Sequence, residues 1–336
     1  MAIDLHTHYL PEPVAGMMRA RTSAPFISAG GDGETLHMPN GVLAIGTSFW
    51  DMEARLEFMD ENGIAAQLLS LAGLFGADSL AADDALPICR AFNDHVAELA
   101  AGHKSRFAGL ASLPFADMDA ALAEYSRART ELGLIGAVLP NNFFMSLDWA
   151  EQIAPVLEVA NRLGGHIFIH PGPRPGQRAN LEPGHAPQLR DNPLARAALD
   201  VQSMVGHAMV TLLFSDYLDD FPDLSLHVAN LGGTLPDVIE RIDHLSVTRT
   251  PDAPLPSSRA RRVHVDCSSL GPRAIEIAAA VFGADHIVFG TDCPIFRTDW
   301  TFQAIARAQI SETEKEGIRT ANAARLLSPL WPELGA

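Results

Sequence analysis

The start of the chain carries two histidines separated by one residue, because residues 3–8 read IDLHTH. The short apolar stretch before them is typical of a β-strand. Side chains alternate between the two faces of a strand, so His6 and His8 point the same way. Two imidazoles on one face at a strand end can occupy adjacent positions on a divalent metal ion. A surface strand end would show the same pair, so the interpretation depends on the other strand ends.

Two further potential metal ligands also close short apolar runs. His170 ends the run HIFIH, and Asp292 follows the run HIVFGT. Three imidazoles and one carboxylate form a donor set suited to zinc, with manganese, iron or cobalt as alternatives. We therefore predict one divalent metal ion held by His6, His8, His170 and Asp292, with an open position for water or substrate.

The elements that must position these side chains alternate between strand and helix eight times. The predicted strands cover Ala2–His8, Ala65–Leu71, Phe107–Leu113, Ile135–Pro140, His166–His170, Ser225–Asn230, Arg262–Asp266 and His286–Asp292. The predicted helices cover Asp51–Asn62, Ala85–Ala101, Met118–Leu132, Trp149–Leu163, Leu235–Leu245, Arg273–Phe282 and Thr313–Leu327. This alternation predicts an α/β fold, a (β/α)8 TIM barrel in one domain over residues 1–336. The alternative, an open doubly wound sheet that binds a dinucleotide, has no support because no Gly-x-Gly-x-x-Gly turn follows the first strand.

Other polar residues also stand at predicted strand ends, where the active sites of such barrels lie. Ser70 ends the second strand and Asn230 the sixth. Asp266 ends the seventh, either as a partner of a metal ligand or as an N-cap. Asn141 and Asn142 follow the fourth, as turn residues or as substrate contacts.

Four further histidines are predicted to lie outside the site. In the run LSLHVAN, we expect Leu226, Val228 and Asn230 to share the inner face, which would turn His227 outward to the helices. His166, His264 and His286 begin their strands at the opposite end of the barrel. We interpret these three as structural.

Three long connections interrupt the alternation. Leu10–Trp50 is inserted after the first strand and is expected to fold over the barrel mouth. Pro171–Pro193 is a proline-rich loop after the fifth strand, typical of a lid, and its Arg174 is a candidate anchor for an anionic substrate. Leu194–Phe221 is predicted to hold two apolar helices that pack on the core or form a subunit interface.

The composition excludes several classes of partner. The net charge of −17 argues against nucleic acid and anionic membranes as main partners. No apolar run reaches the roughly 18 residues of a membrane span, and we see no signal peptide. Three cysteines without a paired framework fit a reducing cytoplasm. We therefore expect a cytoplasmic protein that acts on a small anionic substrate.

Taken together, these segments resemble the metal-dependent amidohydrolase superfamily, and more narrowly the aminocarboxymuconate-semialdehyde decarboxylase family. The segments that carry the resemblance span nearly the whole chain: IDLHTHYLP at residues 3–11, WDMEARL at 50–56, FIHP at 168–171, FPDL at 221–224 with Gly232, Gly233 and Pro236, and GTDCP at 290–294. The resemblance implies a barrel with one divalent metal ion, usually zinc, and often a homodimer. It also implies that the four predicted ligands hold that metal.

The resemblance assigns further roles and exposes departures. Arg241 matches an arginine that reaches a substrate carboxylate, in family dimers from the neighbouring subunit. The family histidine that acts on metal-bound water is replaced by Asn230, which cannot take a proton. A family substrate arginine corresponds to Leu43, and an aromatic residue corresponds to Gly172. These departures argue against aminocarboxymuconate as the substrate.

The lysine content bears on the number of metal ions. Binuclear amidohydrolases often bridge two metals with a carboxylated lysine at a strand end. This chain has only Lys104, before the third strand, and Lys315, in the last helix. Neither can serve, so we predict a mononuclear site.

Three functional hypotheses follow. The leading one is non-oxidative decarboxylation of a small carboxylated aromatic or dienoic acid. Asp292 would carry the proton, Arg241, Arg174 and Asn141 would contact the substrate, and Asn230 would stand at the catalytic strand end. The alternative is metal-dependent hydrolysis of an ester, lactone, amide or C–C bond. A catalytically inactive ligand-binding relative is the third, and the intact set of four ligands argues against it.

Overall fold

Parallel strands and helices alternate along the chain as predicted. The computed structural model describes residues 1–30, 33–39, 41–177 and 192–335. Its strands are β1 (Ala2–His8), β2 (Phe26–Gly30), β3 (Gly33–Met38), β4 (Gly41–Ile45), β5 (Ile64–Ser70), β6 (Phe107–Ala111), β7 (Gly136–Pro140), β8 (His166–His170), β9 (Ser225–Val228), β10 (His264–Asp266) and β11 (Ile287–Val288).

Eight of these strands form one parallel sheet in the order β1-β5-β6-β7-β8-β9-β10-β11. The sheet closes on itself beyond β11. The amide of Leu5 donates to the carbonyl of Phe289 (2.9 Å), and the amide of His8 donates to the carbonyl of Cys293 (2.7 Å). The predicted (β/α)8 barrel is therefore confirmed. Its last strand is shorter than predicted, because the chain leaves regular pairing before Asp292.

Helices surround the barrel. They are α1 (Glu12–Arg19), α2 (Met52–Glu61), α3 (Ala82–Gly102), α4 (Met118–Thr130), α5 (Leu147–Leu163), α6 (Pro193–Phe214), α7 (Leu235–Arg249), α8 (Pro272–Phe282), α9 (Thr298–Arg307), α10 (Glu312–Glu316) and α11 (Asn322–Leu327). Side-chain N-caps fix the starts of α2, α4 and α5, where Asp51, Asp117 and Ser146 accept from the amide three residues on.

Apolar side chains pack on both faces of the barrel strands. The inner face contributes a cluster drawn from strands all around the barrel, which Leu327 and Trp331 extend: Ile3, Leu5, Ala66, Leu68, Ala108, Leu110, Val138, Phe168, Ala229 and Val288. The outer face packs against the helices through residues such as Ile167, Ile169, Leu226 and Val228. Both faces of a parallel barrel are buried, so its strands read as nearly continuous apolar runs.

The long connections differ from the sequence expectation. The insertion after β1 contains α1 and an antiparallel sheet in the order β2-β3-β4, and neither was predicted. The prediction of two helices over Leu194–Phe221 was wrong, because α6 continues unbroken to Phe214 and only a short 3-10 turn, Tyr217–Asp220, follows. Between Leu194 and Phe214 the chain contains one glycine, Gly206, and no proline. The helix continues through Gly206, so nothing in this stretch ends it before Phe214. Of the proline-rich loop, residues 178–191 lie outside the described part.

One helix, Leu194–Phe214, is long and apolar enough to cross a membrane by length and composition alone. Core helices pass the same test. Here Val205, Ala208, Met209, Leu212 and Leu213 are buried against the rest of the chain. Packing on the barrel therefore accounts for much of the helix's apolar character.

Candidate metal centre

The structure brings together the four side chains that the sequence singled out. One donor atom from each of His6, His8, His170 and Asp292 lies within 4.8 Å of all the others. His6 and His8 stand at the carboxyl end of β1 and His170 ends β8. Asp292 lies just beyond β11 with a left-handed backbone (φ 58°), which turns the chain toward the barrel axis. His6 and Asp292, which are 286 residues apart in the sequence, thus meet at one rim of the barrel.

The three imidazoles face one another edge to face. Ring centroids lie 5.1 Å apart for His6 and His8, 4.9 Å for His6 and His170, and 4.7 Å for His8 and His170. Oδ1 of Asp292 lies 3.1 Å from Nε2 of His8 and 3.6 Å from Nε2 of His6. Three buried rings and a carboxylate around one point form a donor set of the kind that holds a divalent cation.

Hydrogen bonds at Nδ1 orient each of the three rings. Nδ1 of His6 lies 3.0 Å from Oδ2 of Asp266, Nδ1 of His8 lies 3.1 Å from Oγ of Ser70, and Nδ1 of His170 lies 2.9 Å from the carbonyl oxygen of Pro171. In contrast, the buried Nε2 atoms of His6 and His8 have no hydrogen-bond partner within the described ranges. Partners at Nδ1 leave Nε2 free for a metal ion, so these residues fit one.

Asp266 is a partner of a candidate ligand rather than the N-cap of a helix. Burial would raise its pKa, but the charge and hydrogen bond of His6 lower the pKa to about 2. Its Oδ1 accepts from the amides of Ser268 (3.0 Å) and Asn230 (3.3 Å). Burial likewise opposes protonation of His6, yet the carboxylates of Asp266 and Asp292 raise its pKa to about 9. The centre therefore carries an excess of negative charge that favours a cation.

Two buried ionisable residues, Asp4 and Arg55, which sequence reasoning missed, fix the backbone beside the candidate ligands. Asp4 accepts from the amide (3.0 Å) and hydroxyl (2.6 Å) of Thr291, and this ties β1 to the residue before Asp292. Nη2 of Arg55 donates to the carbonyl of His8 (2.7 Å). Both lie in segments that carry the family resemblance, and that signal could have singled them out.

Asn230 lies next to this network. Oγ of Ser268 donates a hydrogen bond to Oδ1 of Asn230 (2.8 Å) and also lies 2.9 Å from Nδ1 of His6. Asn230 and Leu231 both have positive φ, 57° and 53°. Asparagine adopts this backbone more readily than most residues, so Asn230 suits the turn as well as the hydrogen bonds.

The prediction that His227 points outward to the helices was wrong. Its ring stacks on Phe168 inside the barrel (centroids 4.1 Å apart, 9° between planes), while Leu226 and Val228 face the helices. His227 Nε2 lies 3.7 Å from Oδ2 of Asp266. Apolar residues fill both faces of a barrel strand, so their alternation did not indicate which face is inner.

His166 completes a buried pair with His227. Its Nε2 lies 2.6 Å from Nδ1 of His227, and its Nδ1 lies 2.8 Å from Oγ of Ser225. Burial lowers the pKa of both imidazoles, that of His227 to about 3. Two neutral rings therefore lie below Asp266, between the candidate metal centre and the amino-terminal end of the barrel.

The predicted substrate-contacting residues lie in different environments. Asn141 is fully buried; its Oδ1 accepts from the amide of Gly172 (3.0 Å) and its Nδ2 has no partner in the described chain. The Arg174 guanidinium lies 3.6 Å from the centroid of the Trp149 ring. Arg241 is exposed on α7 and makes no hydrogen bond or ion pair with another described residue. The structure thus brings only Asn141 close to the strand ends.

Comparison with known proteins places the chain in a family. The amidohydrolase family profile matches residues 3–328, so the chain belongs to the amidohydrolase family. The 2-amino-3-carboxymuconate-6-semialdehyde decarboxylase of Dictyostelium discoideum is 26% identical and aligns over 97% of this chain and 91% of its own. The gamma-resorcylate decarboxylase of Rhodococcus jostii is 30% identical, over 87% of this chain and 94% of its own. The predicted family membership is confirmed.

A solved structure shares the fold. Dihydroxybenzoic acid decarboxylase from Polaromonas sp. JS666, determined with bound manganese and the inhibitor 2-nitroresorcinol, superposes with a TM-score of 0.70. It is 22% identical to this chain, and the superposition covers 97% of this chain and 96% of that one. At 22% sequence identity, this comparison shows that the two proteins share a fold and nothing further.

Proposed function

We propose that this protein is a metal-dependent, non-oxidative decarboxylase of a small aromatic or dienoic acid. The observation that carries the proposal is the convergence of His6, His8, His170 and Asp292, with their donor atoms within 4.8 Å of one another. The two relatives described above, aligned over nearly their whole length, are named as decarboxylases, and this supports the reaction class.

His6, His8, His170 and Asp292 would hold one divalent ion, zinc or manganese. When bound, such an ion would supply positive charge that holds the substrate's carboxylate or a neighbouring hydroxyl and stabilises negative charge as it develops. The positions of the two lysines also fit a single metal ion, because neither is placed to bridge two ions. Lys315 pairs with Glu312 (2.8 Å) on α10, and Lys104 follows α3, far in sequence from every strand end of the site.

Asp292 would move the proton that the reaction requires. In decarboxylation the bond from the ring carbon to the carboxylate breaks, carbon dioxide leaves, and the electron pair left on carbon takes up a proton. The Asp292 side chain is 12% exposed, whereas the side chains of His6 and His8 are at most 1% exposed. Asp292 is therefore the most accessible of these groups to substrate. Asn230 accepts a hydrogen bond from Ser268 and adopts the turn after β9, and its amide cannot carry the proton.

Arg241 would bind the substrate's anionic group from the neighbouring subunit of a homodimer. It lies on an exposed face of α7, and apolar side chains are exposed on the same helix and on α6. Val238 and Leu245 are 41% and 59% exposed, and Leu199 and Val210 are 62% and 41% exposed. Burying these side chains against a second copy would be favourable. Arg174 and Asn141 would complete the substrate contacts.

We also infer that the enzyme acts in the cytoplasm, because Cys89, Cys267 and Cys293 are all buried free thiols. The reaction itself is tested by carbon dioxide release from a panel of hydroxybenzoates and muconates, with zinc- and manganese-loaded protein. We expect release from at least one aromatic acid, and loss of activity after chelation. Hydrolysis of esters, lactones or amides without any carbon dioxide release would contradict the proposal.

A further inference from the structure

The loop of residues 72–80, which follows β5, reaches across the barrel mouth. Its Gly73 lies against Gly172, which follows β8, because a Cβ built on Gly172 would be 3.3 Å from the Cα of Gly73. Since β6 and β7 separate β5 from β8 in the barrel, the loop must span that part of the opening. The Phe75 ring of the loop lies 6.0 Å from the His8 ring. The loop therefore covers the candidate metal centre.

Asp78 in this loop carries a buried carboxyl group that the fold does not use. The residue is 5% exposed, and its Oδ2 has no hydrogen-bond partner in the described chain. Gly73 and Gly172 leave room for this carboxyl group. A Cβ on Gly73 would lie 2.5 Å from Oδ2 of Asp78, and a Cβ on Gly172 would lie 3.4 Å from the same atom. Burial raises the pKa of Asp78 to about 8, so the group is a neutral acid near neutral pH. It can both donate and accept a hydrogen bond.

The two residues just after β7, Asn141 and Asn142, also carry unpartnered polar atoms. Nδ2 of Asn141 has no partner in the described residues, although Oδ1 of the same amide accepts from the Gly172 amide (3.0 Å). Oδ1 of Asn142 is also buried without a partner there. A polar group that is buried without a hydrogen-bond partner destabilises the folded state. Asp78 and Asn141 both contact Gly172, so their unpartnered atoms mark a place where a polar group of the substrate would restore hydrogen bonds.

We propose that Asp78 and Asn141 form a subsite for a neutral hydroxyl or amino substituent of the substrate, and that Asp78 determines which small aromatic acid is accepted. This rests on the proposed function and adds to it the substituent that the site recognises. The loop shields these atoms from solvent. A site built to hydrogen-bond a hydroxyl strongly rejects the analogue without it, because its own polar groups are then left unpaired.

The test compares variants on substrates with and without the substituent. Metal-loaded wild type, Asp78→Ala and Asp78→Asn are assayed on hydroxy- and aminobenzoates and on unsubstituted benzoate. We expect Asp78→Ala to lower kcat/KM at least ~10-fold on the preferred substituted acid and less than ~2-fold on benzoate. Asp78→Asn keeps a donor and an acceptor and should retain most of the preference. Gly73→Ala, which displaces the carboxyl without removing it, should act like Asp78→Ala. Asp83→Asn, an exposed acid on α3, is the matched control.

Binding separates this proposal from the proposed reaction. The affinities of the metal-loaded variants for phenol, aniline and benzene derivatives are measured by calorimetry, whether or not any carbon dioxide is released. Weaker binding of the hydroxylated or aminated ring alone, in both Asp78→Ala and Gly73→Ala, supports the subsite. Equal losses for all rings, or no loss in either variant, would overturn it. If Asp78→Ala does not fold, Gly73→Ala and Asp78→Asn decide the outcome.

Discussion

Oδ2 of Asp266 lies 3.0 Å from Nδ1 of His6, so a carboxylate at the end of β10 orients a candidate metal ligand on β1. A carboxylate partner fixes the imidazole tautomer and ring orientation and makes the opposite nitrogen a better ligand. The same Asp266 accepts from the amide of Asn230, so it also fixes the turn after β9. Asp266 therefore supports the centre without being one of its four donors.

Removing this carboxylate should weaken metal binding. Asp266→Asn keeps the size of the side chain but loses its charge, and we expect ~10–100-fold weaker affinity for zinc or manganese. Competition with a chromogenic chelator measures the change. Asp200→Asn, at an exposed position on α6, should bind the metal as the wild type does. An unchanged affinity in Asp266→Asn would show that His6 does not depend on this partner.

Replacing Asp292 should stop turnover. Asp292→Asn retains an oxygen that can contact a metal but removes the group that carries the proton, and we expect at least a ~10²-fold loss in kcat. Metal content is measured on the same preparation, so loss of the ion and loss of the proton carrier are distinguished. A metal-replete Asp292→Asn protein with near-normal kcat would rule out the proton role.

Arg241 should act across a subunit interface. Arg241→Ala is expected to raise KM about tenfold, the loss of one charge-assisted contact. Mixing Arg241→Ala with Asp292→Asn subunits should restore part of the activity, because a hybrid dimer contains one site with both wild-type residues. Arg249→Ala, at the exposed end of the same helix, is the control. Failure of the mixture to regain activity, while hybrids form, would place Arg241 outside the site.

Stability should depend on pH through His264. Burial, with His286 and Arg325 nearby, lowers the pKa of His264 to about 4. The unfolded chain, in which histidine titrates near pH ~6.5, therefore binds more protons than the folded one between the two values. The contribution of His264 to the unfolding free energy must then fall as pH decreases from about 6.5 to 4.

His264→Gln should reduce this slope. One proton contributes at most ~1.4 kcal/mol per pH unit, so the difference is measurable by urea unfolding of wild type and variant across the window. His207→Gln, at an exposed position on α6, should leave the slope unchanged. Parallel stability curves for wild type and His264→Gln would contradict the lowered pKa expected for the partly buried His264.

The parts of the site that sequence predicted are those whose position follows from topology. Parallel strands in a barrel all end at one rim, so His8 and His170, which end apolar runs, had to lie near each other. The bounds of β11 were less predictable. The chain leaves the sheet after Val288, and Asp292 reaches the rim through a left-handed turn that apolar periodicity does not encode.

Other features required tertiary information. The inward orientation of His227 depends on which face of β9 meets the helices, and both faces are buried. The sequence left Asp266 open between a partner of a metal ligand and an N-cap, and it assigned no role to Asp4. Both residues act only when distant strands are paired. Helices α1 and α9 and the β2-β3-β4 sheet were also not predicted, since each gains stability from packing more than from its own propensity.

Anomalous diffraction at the absorption edge of the bound metal, together with metal analysis, tests whether the four side chains hold one ion. The predicted result is one divalent ion per chain, in contact with Nε2 of His6, Nε2 of His8, His170 and Asp292. An ion bound elsewhere, or fully active protein free of metal, would contradict it.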